Sequence, residues 1–446
     1  MKALMLFVLL VSGFSFFITP NDDMQKEKIK LEAKPDNRYL LKGQKSLYLL
    51  VNVQAGKIEA PKNRPMMNIG LVLDRSGSMD GDKIRYAKEA CKFVANNLSE
   101  NDLLSLTIYD DVVEVISEAG KLSNKEVFRQ KVDGIFSRNT TNLSGGMLEG
   151  YNQTQKLYDR NKVNRIFLLS DGLANRGVTE PEQLNKMAET KNLEHGIGIS
   201  TFGVGADFNE ILMTDLAESG SGNYYFIDSP EKIPEIFSQE LKGLLAVVAQ
   251  NAVLDVEFPE EYLSVGEVYG YKYRTENGKM EVNFKDVISE ELKSVLIRFD
   301  IKKDIPSDIA LKTLLQFDDA ETFQRKELAE TVTLKPTDDI ELYKASKDPN
   351  VLQLKSMFEA NKEYERVMEL VDKGQYREAK EKLEGDLRKM KASMDSLPPS
   401  EELAEQYKDM DDYLMKIDEV KELSEREKKM YQKSSRSDNY SKRKRK

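Results

Sequence analysis

Two stretches constrain the fold of this chain more than any others: "MNIGLVLD" at 67–74 and "NRIFLLSD" at 164–171. Each is an apolar strand-like run that ends in an aspartate. Runs of this kind suit strands buried on both faces, as in a parallel sheet covered by helices. Helical periodicity fills the intervals. "DKIRYAKEACKFVANNL" places Ile84, Ala87, Cys91 and Val94 at helical spacing, and "NKEVFRQKVDGIF" opens on Asn124, a candidate N-cap. "SGGMLEGYNQTQKLY", a segment after Pro181, "NEILMTDLAE" and Pro230 to about Leu245 continue the helical pattern. They alternate with "LLSLTIY", "VVEVI", "IGISTFGV" and "YYFI". This alternation predicts an α/β domain over 63–245, with a doubly wound, mainly parallel sheet.

On both sides the period changes. Residues 21–62 carry strand-like runs such as "LYLLVNV", followed by a linker, "APKNRP". Residues 246–345 alternate with period two, and Glu276-Asn277-Gly278 is a hairpin signal. They predict an antiparallel β-sandwich, which the strands before Met66 would complete, making the α/β domain an insertion. Residues 346–434 predict a helical hairpin or bundle with a break at Gly374 and a last helix from Glu401 to about Lys433. Only one stretch, "VDKGQYREAKEKLE", looks like a helical repeat, and one unit cannot stack. The end, 435–446, reads as a disordered basic tail. Residues 1–20, "MKALMLFVLLVSGFSFFITP", read as a signal peptide or N-terminal anchor.

Composition narrows the chemistry. One cysteine and one histidine leave no material for an intramolecular disulfide, a cysteine zinc site or a Ser-His-Asp triad. An exported chain without disulfides fits a bacterial envelope: periplasm, cell surface or secreted. The net charge of −10 argues against nucleic acid as a partner. The "KRKRK" end leaves open a weak contact with a membrane or an envelope polymer.

In a doubly wound sheet, ligands bind beyond the carboxyl ends of the strands. Asp74 and Asp171 both fall there. Asp74 opens "DRSGS", which adds Ser76 and Ser78, and the loop "RNTTNLSGGM" adds Thr140 or Thr141. Two carboxylates and three hydroxyls form a hard, all-oxygen set that suits Mg²⁺ or Mn²⁺ ahead of Ca²⁺, with water completing the shell. A buried carboxylate needs such a charge. Other candidates have simpler expectations. Asp82 would cap a helix, Asp80 would face solvent, Asp110-Asp111 would form a hairpin turn and Cys91 would pack in a core. His195 would sit near a helix C-terminus, and Gly203-Val204-Gly205 would form a strand-end turn.

At these residues the chain resembles the von Willebrand factor type A family. The resemblance runs from about Met66 to Leu245 and rests on Asp74-Arg75-Ser76-Gly77-Ser78, then "TNLSGG", then the aspartate of "LLSDG", in that order. It implies a metal-ion-dependent adhesion site. Ser76, Ser78 and Thr141 would reach the metal through hydroxyls, Asp74 and Asp171 directly or through water, and a partner carboxylate would complete the shell. Thr140, Asn142 and Arg138 would line the ligand-binding rim. Arg138 and Asn139 stand where the family usually has glycines, which bears on access to that rim.

The expectation is a non-enzymatic, metal-dependent binding or adhesion protein of a bacterial envelope. The alternative is an envelope scaffold or assembly factor that binds through its C-terminal helices, with a structural or vestigial metal site. A hydrolase would need a general base that the sequence does not place there. A cytoplasmic ATPase partner would need the N-terminal segment to stay inside.

Overall fold

The computed structural model describes residues 28–57, 65–138, 140–171, 175–205 and 208–443. The N-terminal apolar segment and most of the expected linker lie outside them. The chain begins with strands β1 (Ile29–Pro35), β2 (Tyr39–Leu41) and β3 (Ser46–Ala55). It then builds an α/β unit: β4 (Met66–Asp74), α1 (Asp82–Asn97), β5 (Leu103–Tyr109), β6 (Val113–Lys121), α2 (Lys125–Asp133), α3 (Leu143–Lys156), β7 (Lys162–Ser170), α4 (Pro181–His195), β8 (Gly198–Val204), α5 (Glu210–Ser219), β9 (Ser221–Ile227) and α6 (Ile233–Leu245). Its sheet has the order β6-β5-β4-β7-β8-β9, with only the β5–β6 pair antiparallel. Apolar clusters cover both faces, one built on Met67, Ile69 and Leu71 and the other on Val72, Ile166 and Leu168. That two-sided burial is why β4 and β7 read as unbroken apolar runs.

Seven further strands follow: β10 (Val247–Glu257), β11 (Leu263–Tyr269), β12 (Arg274–Glu276), β13 (Lys279–Ile288), β14 (Leu292–Ile301), β15 (Ile309–Asp319) and β16 (Arg325–Thr337). They form two sheets, β1-β3-β14-β11 and β12-β13-β10-β15-β16-β2, which share one apolar core. The chain therefore leaves the sandwich after β3 and returns to it at β10. The β12–β13 turn holds Asn277 at φ 49° and Gly278 at φ 73°, the paired left-handed positions that an Asn-Gly hairpin supplies.

The C-terminal region contains α7 (Ile340–Ala345), α8 (Pro349–Asp372), α9 (Tyr376–Ser396), α10 (Glu401–Glu422) and α11 (Glu425–Arg443). Helices α8 to α10 share an apolar core. Two expectations are corrected here. The last long helix is broken at Leu423-Ser424 into α10 and α11, and Ser424 caps α11 by accepting from the Glu427 N–H and bonding its carboxylate. The stretch expected as a disordered tail is helical as far as Arg443. Helix α11 returns to the α/β unit. Tyr440 packs edge-on against Tyr224 with centroids 5.7 Å apart, and Lys433 donates 2.6 Å to the Phe208 carbonyl while lying over that ring. Among the described residues, no helix is long and apolar enough to cross a membrane.

Helix α3 approaches β4 closely because Gly150 faces it. A Cβ there would come within 2.2 Å of Val72 Cγ2, and Val72 is fully buried. Gly150→Ala is expected to lose about 3 kcal/mol to overpacking and regain about 1 through helix propensity. The net loss of about 2 kcal/mol should appear as a lower urea midpoint, and an unchanged midpoint would mean that α3 can stand off from the sheet.

Candidate metal-binding rim

Strands β4 and β7 are parallel neighbours in register Leu73↔Leu169. Their ends therefore deliver Asp74 and Asp171 to the same edge, and both carboxylates are essentially inaccessible. Asp74 Oδ1 accepts from the Ser76 N–H at 2.8 Å and Oδ2 accepts from the Ser170 hydroxyl at 2.6 Å. The loop then makes a short 3₁₀ turn over Gly77–Met79, which brings Ser76 Oγ within 3.1 Å of Ser78 Oγ. Ser78 Oγ donates to Asp171 Oδ1 at 2.8 Å. Four of the five expected metal residues thus lie in one connected set of oxygens. Burial pushes the Asp74 carboxyl up to about 6, and Asp171 adds repulsion, while bonds from Ser170 and Ser76 oppose the rise.

Thr141 is buried at the start of the loop that leads into α3. Its N–H donates to Asn175 Oδ1 at 2.9 Å, and its carbonyl accepts from the N–H groups of Asn175 and Arg176, each at 3.2 Å. This ties the threonine loop to the chain just beyond Asp171. Thr140 Oγ1 is also buried and has no partner among the described residues, so both threonines remain candidate donors. Asn142 caps α3, accepting from the Gly145 N–H at 3.0 Å and from the Ser144 hydroxyl at 3.2 Å. The Arg138 guanidinium donates to Asp110 and Glu114, each at 2.6 Å.

Arg75 pairs with the same two carboxylates, at 2.9 and 2.5 Å. Asp110, expected as a turn residue, is fully buried between these arginines. Burial works to raise its carboxyl, yet the Arg138 and Val112 hydrogen bonds and the Arg75 charge hold it below the ordinary value. Backbone bonds from Arg138 N–H to Arg75 O and from Asn142 N–H to Asp110 O lock the three loops together. Asp82 does not cap α1. Gly81 takes the cap position and the Asp82 carboxylate pairs with Arg85.

Sequence reasoning missed Lys83. From the first turn of α1 its ammonium bonds Asp171 Oδ2 and, at 3.2 Å, the Ser78 carbonyl. A cationic group thus sits on the oxygens expected to hold a metal. Two buried carboxylates and the serine hydroxyls make a hard oxygen set that fits a small divalent ion, and the Lys83 ammonium bonds into that same set. The described residues contain no cluster of three or more His, Cys, Asp or Glu that could hold a metal, so an ion here would depend on hydroxyl oxygens and water for the rest of its shell. Cavities of 420 and 320 Å³ lie at the junction with the sandwich, lined by other residues. The polar set itself opens at the surface, where Ser78 is exposed.

Comparison with known proteins agrees with this architecture. Residues 68–239 match the sequence model of the von Willebrand factor type A domain. The chain is 29% identical over 214 residues to the uncharacterized protein YfbK of Escherichia coli, covering 47% of this chain and 37% of that protein. It therefore spans little more than a third of that relative's length. The solved structure of a von Willebrand factor type A protein from Catenulispora acidiphila superposes with a TM-score of 0.69 at 14% identity, covering 83% of this chain and 87% of that one. The ArnB paralog VWA2 from Sulfolobus acidocaldarius gives 0.60 at 19% identity, covering 92% and 98%. At these identities the likeness is one of fold, and it extends well beyond the α/β unit.

Raising the Asp74 carboxyl from 3.8 to about 6 on folding makes its ionised form a liability in the metal-free protein. Its contribution to stability is present below about pH 4 and is lost as pH rises through about 6. In chelator, Asp74→Asn should match the wild type near pH 4 and exceed it at pH 7 by on the order of 2–3 kcal/mol. Urea melts at the two pH values check this. Equal stability at pH 7 would mean that Ser170, Ser76 and Lys83 already compensate the charge.

Proposed function

We propose, from the premise that the chain carries a von Willebrand factor type A domain, that it is a non-enzymatic binding protein. In this reading it recognises a protein partner through a divalent ion held at the β4–β7 rim. The observation that carries it is the convergence of Asp74, Ser76, Ser78 and Asp171 into one hydrogen-bonded set with a cation already seated on it. Mg²⁺ or Mn²⁺ would take these oxygens together with Thr141, leaving a coordination position toward solvent. An ion with an open position attracts an anionic oxygen, and a partner carboxylate is the protein group that supplies one. Val112 in the β5–β6 turn, Phe136 in the loop after α2 and Ile211 in the first turn of α5 are 48%, 62% and 72% exposed. They suit a partner whose carboxylate is flanked by apolar side chains.

The same reading puts the chain in a bacterial envelope, on the strength of the N-terminal apolar segment and the single cysteine. The sandwich would carry the domain, and the helices would support assembly or a second contact. Calorimetric titration of the full chain with Mg²⁺ and Mn²⁺ tests the central claim. The wild type should show saturable one-site binding that Asp74→Ala and Asp171→Ala each abolish. Binding that survives both changes would place the ion elsewhere. Absence of binding in the wild type would favour a scaffold that works through its C-terminal helices.

A further inference from the structure

We propose that Lys83 is a tethered cation that holds the metal position in the metal-free protein and must swing out before a divalent ion can enter. This rests on the metal-site reading above and adds a built-in competitor to it. The Lys83 ammonium bonds the Asp171 carboxylate oxygen that Ser78 leaves free, and it also bonds the Ser78 carbonyl. It thereby occupies Asp171 beyond β7 together with the backbone of the loop that follows β4.

The seat for Lys83 is built into the fold. Gly205, at the end of β8 with φ 81°, leaves room for the lysine stem. A Cβ there would lie 2.8 Å from Lys83 Cε. The route out is open as well, since 23% of the Lys83 side chain is exposed. A lysine suits this role because its charge is a compact point on a flexible stem, able to fill the site of a small ion and to leave it.

The charges decide between the two states. Asp74 and Asp171 are buried together, and Lys83 compensates one of them. A divalent ion compensates both, and an ammonium left in contact with it would be a like charge at bonding distance. Metal and lysine are therefore alternatives. A site that must first be vacated binds with an apparent affinity reduced by the fraction of molecules in which it is open. Lysine seated in nine of ten molecules would weaken binding about tenfold.

Two measurements on the full chain test the proposal. In calorimetry, Lys83→Met should bind Mg²⁺ about tenfold more tightly than the wild type. In the wild type, amine acetylation followed by mass spectrometry should show Lys83 reacting several-fold faster at saturating Mg²⁺. Lys88, on the same helix but bonded to the carbonyls of Asp133 and Ile135, should not change. Equal or weaker Mg²⁺ binding by Lys83→Met, or an unchanged Lys83 labelling rate in a protein that does bind Mg²⁺, would overturn the tether and leave the metal site standing. No Mg²⁺ binding by either protein would overturn the metal site and the tether with it.

Discussion

Two carboxylates buried side by side at the ends of the central strands are the constraint around which this molecule is arranged. The β4–β7 register brings Asp74 and Asp171 together and removes both from water. Buried charges persist only when they are paired, hydrogen-bonded or bound to metal. The surroundings read as successive answers to that demand. Ser170 and the Ser76 N–H serve Asp74, while Ser78 and Lys83 serve Asp171. Outside them, Arg75 and Arg138 share Asp110 and Glu114, which fixes the loops that carry the inner oxygens. The outer network is balanced in charge and holds position. The inner set is short of positive charge and is the part suited to exchange.

The rest of the chain reaches this rim from two directions. The sandwich holds both ends of the α/β unit, because β3 precedes it and β10 follows it within the same pair of sheets. From the other side, α11 grips the segment between β8 and α5. Lys433 holds the Phe208 carbonyl, and Arg436 approaches Glu210 to 3.6 Å. That segment begins at Gly205, which borders the Lys83 stem. The helical region is thus in physical contact with the loop that shapes the lysine seat.

Much of this was legible in the sequence, for reasons that the missed residues make clear. Two-sided burial writes itself into composition, so β4, β7 and their terminal aspartates stood out. Asn124 and Asn277-Gly278 were readable because a cap and a hairpin turn depend on local geometry. Lys83 was invisible because its role depends on the reach of a flexible side chain across to another strand's end. Helix α11 was misread because much of what it buries is polar. Asn439, within the stretch expected as a tail, is almost inaccessible, and hydropathy cannot distinguish it from a solvated residue. Asn142 was readable as a rim group but not as the cap of α3, which is where its oxygen is used.

The exchange proposed for the rim also bears on when a partner would be attracted. With Lys83 seated, the buried pair keeps one uncompensated negative charge, so an incoming carboxylate meets a field of its own sign. With a divalent ion seated, the pair would be neutralised and the released ammonium would stay tethered nearby, so the field would turn in the carboxylate's favour. Because the site opens at the surface, salt would screen this field at a distance, while the bond to the ion at contact would persist. Metal entry would then do two things at once: it would create the coordination position and remove the repulsion guarding it. A neutral residue at position 83 would supply neither the seated charge before metal entry nor the released charge after it, which is a physical reason for a lysine at this point of the first helical turn.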